Sequence, residues 1–142
     1  MALNIHKTAL GNIYSWAGKW RNIDVTVGVH IPPDYGQIPS LMAQWANEAD
    51  YRIGKIESGN DLIAALAWLH HKFVQIHPFN NGNGRTARAI TDIVAQLFGF
   101  KNVRLYSRDE GAARNAYIIA LRAADQHDYS LLESLIKSGL SS

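Results

Sequence analysis

The chain has 142 residues, a formal net charge of +2, 47% hydrophobic and 18% charged residues. This size and composition suit one globular domain, and so small a net charge argues against direct nucleic-acid binding. The chain has no cysteine, which excludes disulfides and thiolate metal sites. We find neither a signal peptide nor a long apolar stretch, so a cytoplasmic protein without membrane contact is expected.

The first part of the chain predicts a helix followed by a short hairpin. The helix is expected over residues 3–16, before a glycine. Between Val25 and Val29, valines alternate with small or polar residues, as in a strand, and Pro-Pro-Asp-Tyr-Gly at residues 32–36 forces a turn. Residues 24–38 are therefore predicted to form a small exposed hairpin, which we call the flap.

The middle of the chain predicts two helices that carry much of the core. Ser40 is the expected N-cap of the first helix and Asp61 that of the second. After Asp61, spacings of three and four residues predict a buried helix face: Leu62, Leu66, Leu69, Phe73 and Ile76. Pro78 then ends this helix near residues 76–77.

Three further helices are predicted after a glycine-rich loop. The first runs from about Arg85 to Phe98, with Gly99 as its stop. Capping boxes, Ser107 with Glu110 and Ser130 with Glu133, would begin the other two. The predicted fold class is mainly α, about six helices with β-structure confined to the flap.

Most of the chemical information lies in residues 77–88, which read His-Pro-Phe-Asn-Asn-Gly-Asn-Gly-Arg-Thr-Ala-Arg. Small residues let backbone N–H groups turn toward an anion, and a helix start adds partial positive charge. Arg85 and Arg88 share one face of that helix and oppose its dipole, which makes sense if an anion binds between them. His77 alone would suit an ordinary helix end. Together these residues predict a polyphosphate site beside a titratable base.

This stretch resembles the signature of the Fic (filamentation-induced-by-cAMP) family, His-x-Phe-x-Asp/Glu-Gly-Asn-Gly-Arg-x-x-Arg. Residues 13–18 and 128–130 also resemble the family's leading and closing segments, so the resemblance covers nearly the whole chain. The matched signature positions are His77, Phe79, Gly82, Asn83, Gly84, Arg85 and Arg88. The resemblance implies the Fic fold, a helical bundle with a small β-hairpin flap, in a single domain of residues 1–142. A longer native N-terminus would also be compatible with it.

Fic enzymes typically transfer AMP from ATP to a hydroxyl of a protein side chain. The resemblance therefore implies a protein adenylyltransferase with ATP as its substrate and Mg²⁺ or Mn²⁺ as cofactor. His77 would deprotonate the incoming Ser, Thr or Tyr hydroxyl, for which a neutral imidazole is suited. Phe79 would lie buried beneath the loop. The loop amides from Gly82 to Gly84 would bind the α- and β-phosphates.

The resemblance also implies roles for the side chains that follow the loop. Asn83 would donate to the α-phosphate, Arg85 would neutralise the leaving pyrophosphate, and Arg88 would reach the γ-phosphate. Tyr117 is a candidate for contact with adenine, although a core tyrosine is the interpretation that we favour. The part of the flap between Val27 and Ile38 would pair with the target protein as an added strand.

Asn81 departs from the family pattern, which has Asp or Glu at this position. That carboxylate holds Mg²⁺ in the family, whereas an amide oxygen carries no charge. Three alternatives follow: adenylylation with a weak Asn81 metal site, in which ATP phosphates hold most of the ion; phosphate transfer on the same fold; or a catalytically silent nucleotide-binding module, such as the toxin-like half of a toxin–antitoxin pair.

Regulation and other metal sites are the remaining questions. The family's inhibitory pattern, Ser/Thr-x-x-x-Glu, does not occur in this sequence, so a separate inhibitory partner protein is one possibility. His70 and His71 are adjacent and lie seven and six residues before His77, which does not suit the i, i+4 spacing of a zinc helix. Metal binding by these histidines is therefore not expected.

Overall fold

The computed structural model describes residues 19–105 and 111–141, and this part of the chain is mainly helical, as predicted. The helix expected over residues 3–16 and the leading segment 13–18 lie outside the described residues. The first predicted capping box, Ser107 with Glu110, also lies outside them. None of the helices in the two described ranges is long and apolar enough to cross a bilayer.

The described residues form five α-helices and one pair of very short strands. A single 3-10 turn, Tyr35–Gln37, precedes the first helix. The elements in chain order are α1 (Ile38–Gly54), α2 (Gly59–Ile76), α3 (Asn83–Leu97), β1 (Asn102–Val103), α4 (Gly111–Asp125), α5 (Ser130–Gly139) and β2 (Leu140–Ser141).

Helix α2 lies at the centre of the bundle and contacts α1, α3 and α5. The predicted core face is confirmed, since all of its members are buried: Leu62, Leu66, Leu69, Phe73 and Ile76. Two histidines of the same helix, His70 and His71, are buried as well. A helix buried on most of its surface keeps one position and therefore gives a fixed base for whatever lies at its end.

The predicted N-cap of α2 is wrong by three residues. Ser58 is the N-cap, and its Oγ accepts a hydrogen bond from the backbone N–H of Asp61 at 3.1 Å. Asp61 lies within the first turn, where its carboxylate accepts from the N–H of Glu57 at 3.0 Å. The pair forms a reciprocal cap in which Asp takes the place that Glu or Gln usually holds.

Three other helix starts also differ from prediction. Helix α1 begins at Ile38 with proline in its first turn, two residues before the predicted cap Ser40. Helix α3 begins at Asn83, two residues before Arg85. Ser130 is the first residue of α5, and its hydroxyl donates to Asp128 Oδ1 at 2.6 Å. A serine hydroxyl beside an acidic side chain can bond to that carboxylate instead of capping the backbone at the helix end.

The β-structure is smaller in the flap than predicted and also occurs elsewhere. Within the flap, one antiparallel bridge joins Val27 and His30 around a turn in which Gly28 has φ 59°. Strands β1 and β2 pair antiparallel between the α3–α4 connection and the end of α5. The prediction that β-structure is confined to the flap is therefore wrong, because two-residue strands are too short to show alternation.

Candidate active site

His77 ends helix α2 in a left-handed backbone conformation, with φ 54° and ψ 61°. Its N–H still donates to the carbonyl of Phe73 at 3.0 Å, which completes the last helical turn. The left-handed residue then turns the chain out of the helix, as is common at helix ends. The half-buried imidazole therefore stands at the junction between the rigid α2 and the glycine-rich loop.

The imidazole of His77 is held neutral by its surroundings. Burial lowers its pKa from 6.5 to about 4, with further lowering by the nearby positive charges of Arg21 and His30. Burial disfavours the charged form, and like charges add to this effect. A neutral ring nitrogen can accept a proton, which is the state that a general base needs.

The loop after His77 is closed by the side chain of Asn83. The Asn83 Nδ2 donates to the Phe79 carbonyl at 2.8 Å, and Oδ1 accepts from the Phe79 N–H at 2.9 Å. The amide thus uses its oxygen and one of its hydrogens inside the loop, and the side chain is buried. Contact with an α-phosphate would have to use the second N–H, and this predicted role stays a prediction.

Phe79 fixes the loop to the hydrophobic core. Its side chain is fully buried and stacks on Trp20, with ring centroids 5.2 Å apart. The ring of Phe73 in α2 lies 6.2 Å away on a tilted plane. An aromatic residue packed on two others has little freedom, so the peptide that Asn83 grips is itself held in place.

The glycines allow the loop to become the start of α3. Gly82 is the N-cap of α3 with φ 76°, a conformation that favours glycine, and its carbonyl accepts from the Thr86 N–H at 3.0 Å. This is the first intrahelical bond. The amides of Asn83, Gly84 and Arg85 precede it, so they face outward from the helix start, where an anion would bind.

The two arginines of the signature both lie in the first turns of α3. Arg85 is exposed, and Arg88 is half-buried. A Cβ placed on Gly84 would lie 3.4 Å from Nη1 of Arg88, so the guanidinium passes close to the loop backbone. The structure therefore brings the outward amides and two positive side chains to one end of α3.

Asn81 does not by itself make a metal site. The side chain is exposed, and its Oδ1 accepts from the N–H of Gly82 at 3.2 Å. The described residues contain no group of three or more His, Asp or Glu side chains that could hold a metal ion. One neutral amide oxygen that is already hydrogen-bonded is a poor ligand set for Mg²⁺.

Tyr117 lies in the core of the bundle. It is 6% exposed, and its hydroxyl is 2.6 Å from Nε2 of His70. This position fits the core alternative, and contact with adenine stays a prediction. His71 pairs in the same way with Asp125, at 2.7 Å, and with the hydroxyl of Tyr129, at 3.1 Å.

Arg21 also contacts the site, although nothing in the sequence predicts it. Its side chain is 2% exposed, and its Nε donates to the carbonyl of His77 at 2.7 Å. An arginine in a segment without periodicity is ordinarily expected at the surface. The sequence carries no local signal for this contact, because the partner lies 56 residues away.

Comparison with known proteins agrees with this geometry. The Fic/DOC family model matches residues 1–95, and the chain belongs to this family. It is 33% identical over 131 residues to Protein adenylyltransferase Fic of Culex quinquefasciatus, which covers 89% of this chain and 24% of that protein. The chain thus spans about a quarter of the length of the curated relatives it matches.

Solved structures show the same fold. Fic-1 from C. elegans superposes with a TM-score of 0.72 at 28% identity, covering 97% of this chain and 39% of that one. A Fic domain containing signaling protein from Bacteroides thetaiotaomicron gives a TM-score of 0.80 at 22% identity, covering 97% and 57%. The predicted Fic fold is therefore confirmed.

Proposed function

We propose that this protein is an adenylyltransferase that transfers AMP from ATP to a Ser, Thr or Tyr hydroxyl of a target protein. The observation that carries the proposal is the position of a neutral histidine, His77, directly before a clamped loop that offers outward amides and two arginines. A general base next to an anion site suits attack of a hydroxyl on a phosphate. The name of the relatives, protein adenylyltransferase, supports the same reaction.

The reaction assigns one step to each group of residues. His77 takes the proton of the target hydroxyl as its oxygen forms a bond to the α-phosphorus of ATP. The bond from this phosphorus to the oxygen bridging to the β-phosphate breaks, and pyrophosphate leaves. The loop amides, with the second N–H of Asn83, stabilise the charge on the α-phosphate. Arg85 neutralises the leaving pyrophosphate, and Arg88 reaches the γ-phosphate.

The metal, Mg²⁺ or Mn²⁺, would be held mainly by the phosphates of ATP. Asn81 would add at most one amide oxygen, which also accepts from the N–H of Gly82. When bound, such an ion neutralises charge on the phosphates. A carboxylate at residue 81 would add charge to the ligand set and is expected to bind the ion more tightly.

The target protein would bind along the flap. Val29 and Ile31 are each 77% exposed, and Val27 and Tyr35 are 42% and 49% exposed. Exposed apolar side chains in one short segment are typical of a surface that contacts another protein. An extended target segment pairing with this backbone would bring its hydroxyl toward His77.

The cellular setting follows from composition and from the missing inhibitory pattern. We place the protein in the cytoplasm because the chain has no cysteine. Inhibition by a separate partner protein is proposed, because no Ser or Thr is followed four residues later by Glu. Contact of adenine with Tyr117 would use the face or edge of its ring, because its hydroxyl pairs with His70.

Label transfer tests the proposal directly. ATP labelled on the α- or γ-phosphate is incubated with lysate and the protein, with Mg²⁺ or Mn²⁺, and products are followed by label and intact mass. Transfer of α-label is expected from the wild type. His77→Ala should reduce it by about 10²–10⁴-fold while ATP binding is retained. Asn81→Asp should increase it.

His127→Ala is the matched control. His127 is exposed and, like His77, has a left-handed backbone, with φ 66° against 54°. The His127→Ala variant should transfer label as the wild type does. Transfer of γ-label alone would replace the proposal with phosphotransfer. ATP binding without any transfer would point to a silent nucleotide-binding module.

A further inference from the structure

Arg21 is a buried arginine, and each bond of its guanidinium to the described residues goes to a backbone carbonyl. Nε donates to the carbonyl of His77 at 2.7 Å, and Nη1 donates to that of Ile23 at 2.9 Å. Nη2 donates to the carbonyl of Pro33 and, at 3.4 Å, to that of Ile76. One side chain therefore joins the end of α2 to Pro33 in the flap and to Ile23, the residue directly before the flap.

Residues 21 and 30 together hold the last carbonyls of α2 and those just after it. His30 Nε2 donates to the carbonyl of Gln75 at 2.9 Å. The guanidinium of Arg21 donates to the next two carbonyls, those of Ile76 and His77. The backbone N–H of Arg21 donates to the carbonyl of Pro78 at 2.8 Å. Four consecutive carbonyls, residues 75–78, thus have donors from the flap or the segment before it. These groups would otherwise be unsatisfied at a helix end.

The charge of Arg21 is also tied to the flap. Burial lowers the pKa of the guanidinium, and the carboxylates of Asp24 and Asp34 raise it. Both acidic residues belong to the flap, and Asp24 Oδ1 accepts from the N–H of Tyr35 at 2.9 Å. A buried charge is tolerated where it is paired and hydrogen-bonded. Here the hydrogen bonds lead to the end of α2, to Ile23 and to the flap, and the compensating charges lie on the flap.

We propose that Arg21 is a positioning residue that fixes the flap and His77 in one relative geometry. The inference rests on the proposed function, in which His77 is the base and the flap holds the target. Arg21 touches the backbone of the histidine and of the flap and does not take part in the transfer. Lysine cannot replace it, because a single ammonium cannot span carbonyls on both elements.

The charge of Arg21 also acts on the pKa of His77, which burial lowers most. The cation of Arg21 is one of the two charges that lower it, the other being His30. Removing the charge should therefore raise this pKa, whereas Arg21→Lys keeps the charge and removes the geometry. The effect of the Arg21 charge on the pKa of His77 can thus be separated from the effect of the Arg21 hydrogen bonds on geometry.

The test compares Arg21→Lys with Arg52→Lys. Arg52 pairs with Glu48 on α1 at 3.0 Å and packs over the ring of Trp68, and neither partner is a residue of the proposed site. In Arg21→Lys, hydrogen exchange of the Val27 and His30 amides, which form the flap bridge, should be about tenfold or more faster. The maximal rate of α-label transfer into lysate protein should fall about tenfold to a hundredfold. The apparent KM for ATP should stay within about twofold. Arg52→Lys should change none of these.

Two results would overturn the proposal. One is flap exchange at the wild-type rate in Arg21→Lys. The other is an equal loss of protection in the flap and in helices α3 and α4, which would mean general destabilisation. If Arg21→Lys does not fold, the wild-type protein decides: the Arg21 Nε–H should be resolved by NMR at neutral pH and protected, and rapid exchange would contradict us. Hydrogen exchange does not depend on transfer of the α-label. A wild-type protein that transfers no label would therefore contradict the proposed function without affecting the test of Arg21.

Discussion

At the residue scale, His77 is expected to work at unusually low pH. Its pKa of about 4 keeps the imidazole neutral at pH 5.5, where a histidine of ordinary pKa is about 90% protonated. Transfer at pH 5.5 should therefore keep about half or more of its rate at pH 7.5. Initial rates of α-label transfer across this range provide the measurement. A tenfold fall with a midpoint near pH 6.5 would show an ordinary imidazole.

The second residue-scale feature is the hydrogen-bonded chain behind the site. Thr91 donates to the Ala87 carbonyl at 2.7 Å, so its oxygen is left to accept from Nδ1 of His70 at 3.2 Å. Nε2 of His70 must then accept from the hydroxyl of Tyr117 at 2.6 Å. These hydrogen bonds give both ring nitrogens of the buried, neutral His70 a partner, and they join α2, α3 and α4.

Removing the Tyr117 hydroxyl should destabilise the protein. Tyr117→Phe leaves Nε2 of His70 buried without its partner, which costs about 1–3 kcal/mol. Tyr51→Phe is the matched control, because Tyr51 is 62% exposed, and it should change stability by no more than about 0.5 kcal/mol. Urea unfolding of both variants measures the difference. Equal urea midpoints for the two variants would mean that the hydrogen bond between Tyr117 and His70 contributes little to stability.

Local residue patterns predicted some of the site and could not predict the rest. The signature residues are close together in sequence, so the sequence alone was enough to predict that His77 and the loop belong to the site. The clamp of Asn83 on Phe79 depends on the loop's exact path. The burial of Arg21 depends on carbonyls that are distant in sequence. Neither is visible in residue type or spacing.

At the element scale, two helices end in glycines whose surroundings differ. Gly54 ends α1, and a Cβ there would meet nothing within 4 Å. Gly139 ends α5, and a Cβ there would collide with the carbonyl oxygen of Arg104, whose own N–H donates to the carbonyl of Gly139 at 2.9 Å. Gly139 therefore allows the close approach on which the β1–β2 pair depends.

Alanine at these two positions should have opposite effects. Gly139→Ala forces backbone apart and should destabilise the protein by about 1–3 kcal/mol. Gly54→Ala should be neutral or stabilising by up to about 1 kcal/mol, because alanine loses less entropy in a helix. Thermal unfolding of the two variants compares them. A Gly139→Ala variant as stable as the wild type would show that the short strand pair can shift without loss.

Element-scale prediction succeeded where many residues repeat one pattern. The buried face of α2 extends over several turns, and its helix was correctly predicted. Single caps were predicted poorly, because Ser40, Ser58 and Ser130 look alike in sequence and only Ser58 faces a helix end. Two-residue strands carry no repeat at all.

At the scale of the whole molecule, acid should weaken the fold. Burial lowers the pKa of His70 to about 3, and the pKa values of His71 and His77 are lowered too. The unfolded chain then binds more protons below about pH 6.5, so stability falls as pH drops. Asp92 opposes this trend, because burial raises its pKa.

The expected loss between pH 7 and pH 4 is on the order of 3 kcal/mol from His70 alone. Urea midpoints at both pH values measure it in the wild type. Stability that does not change, or that rises on acidification, would contradict neutral buried histidines.

The left-handed backbone at His77 has a consequence for protein engineering. A residue with a Cβ in this conformation costs about 1–2 kcal/mol, and glycine or asparagine accepts it more readily. A library selected for melting temperature alone would thus drift away from histidine at this position and lose the proposed base. Position 127 shares the backbone conformation and offers the same gain at an exposed surface. Thermostable versions should be sought there, with residue 77 kept fixed.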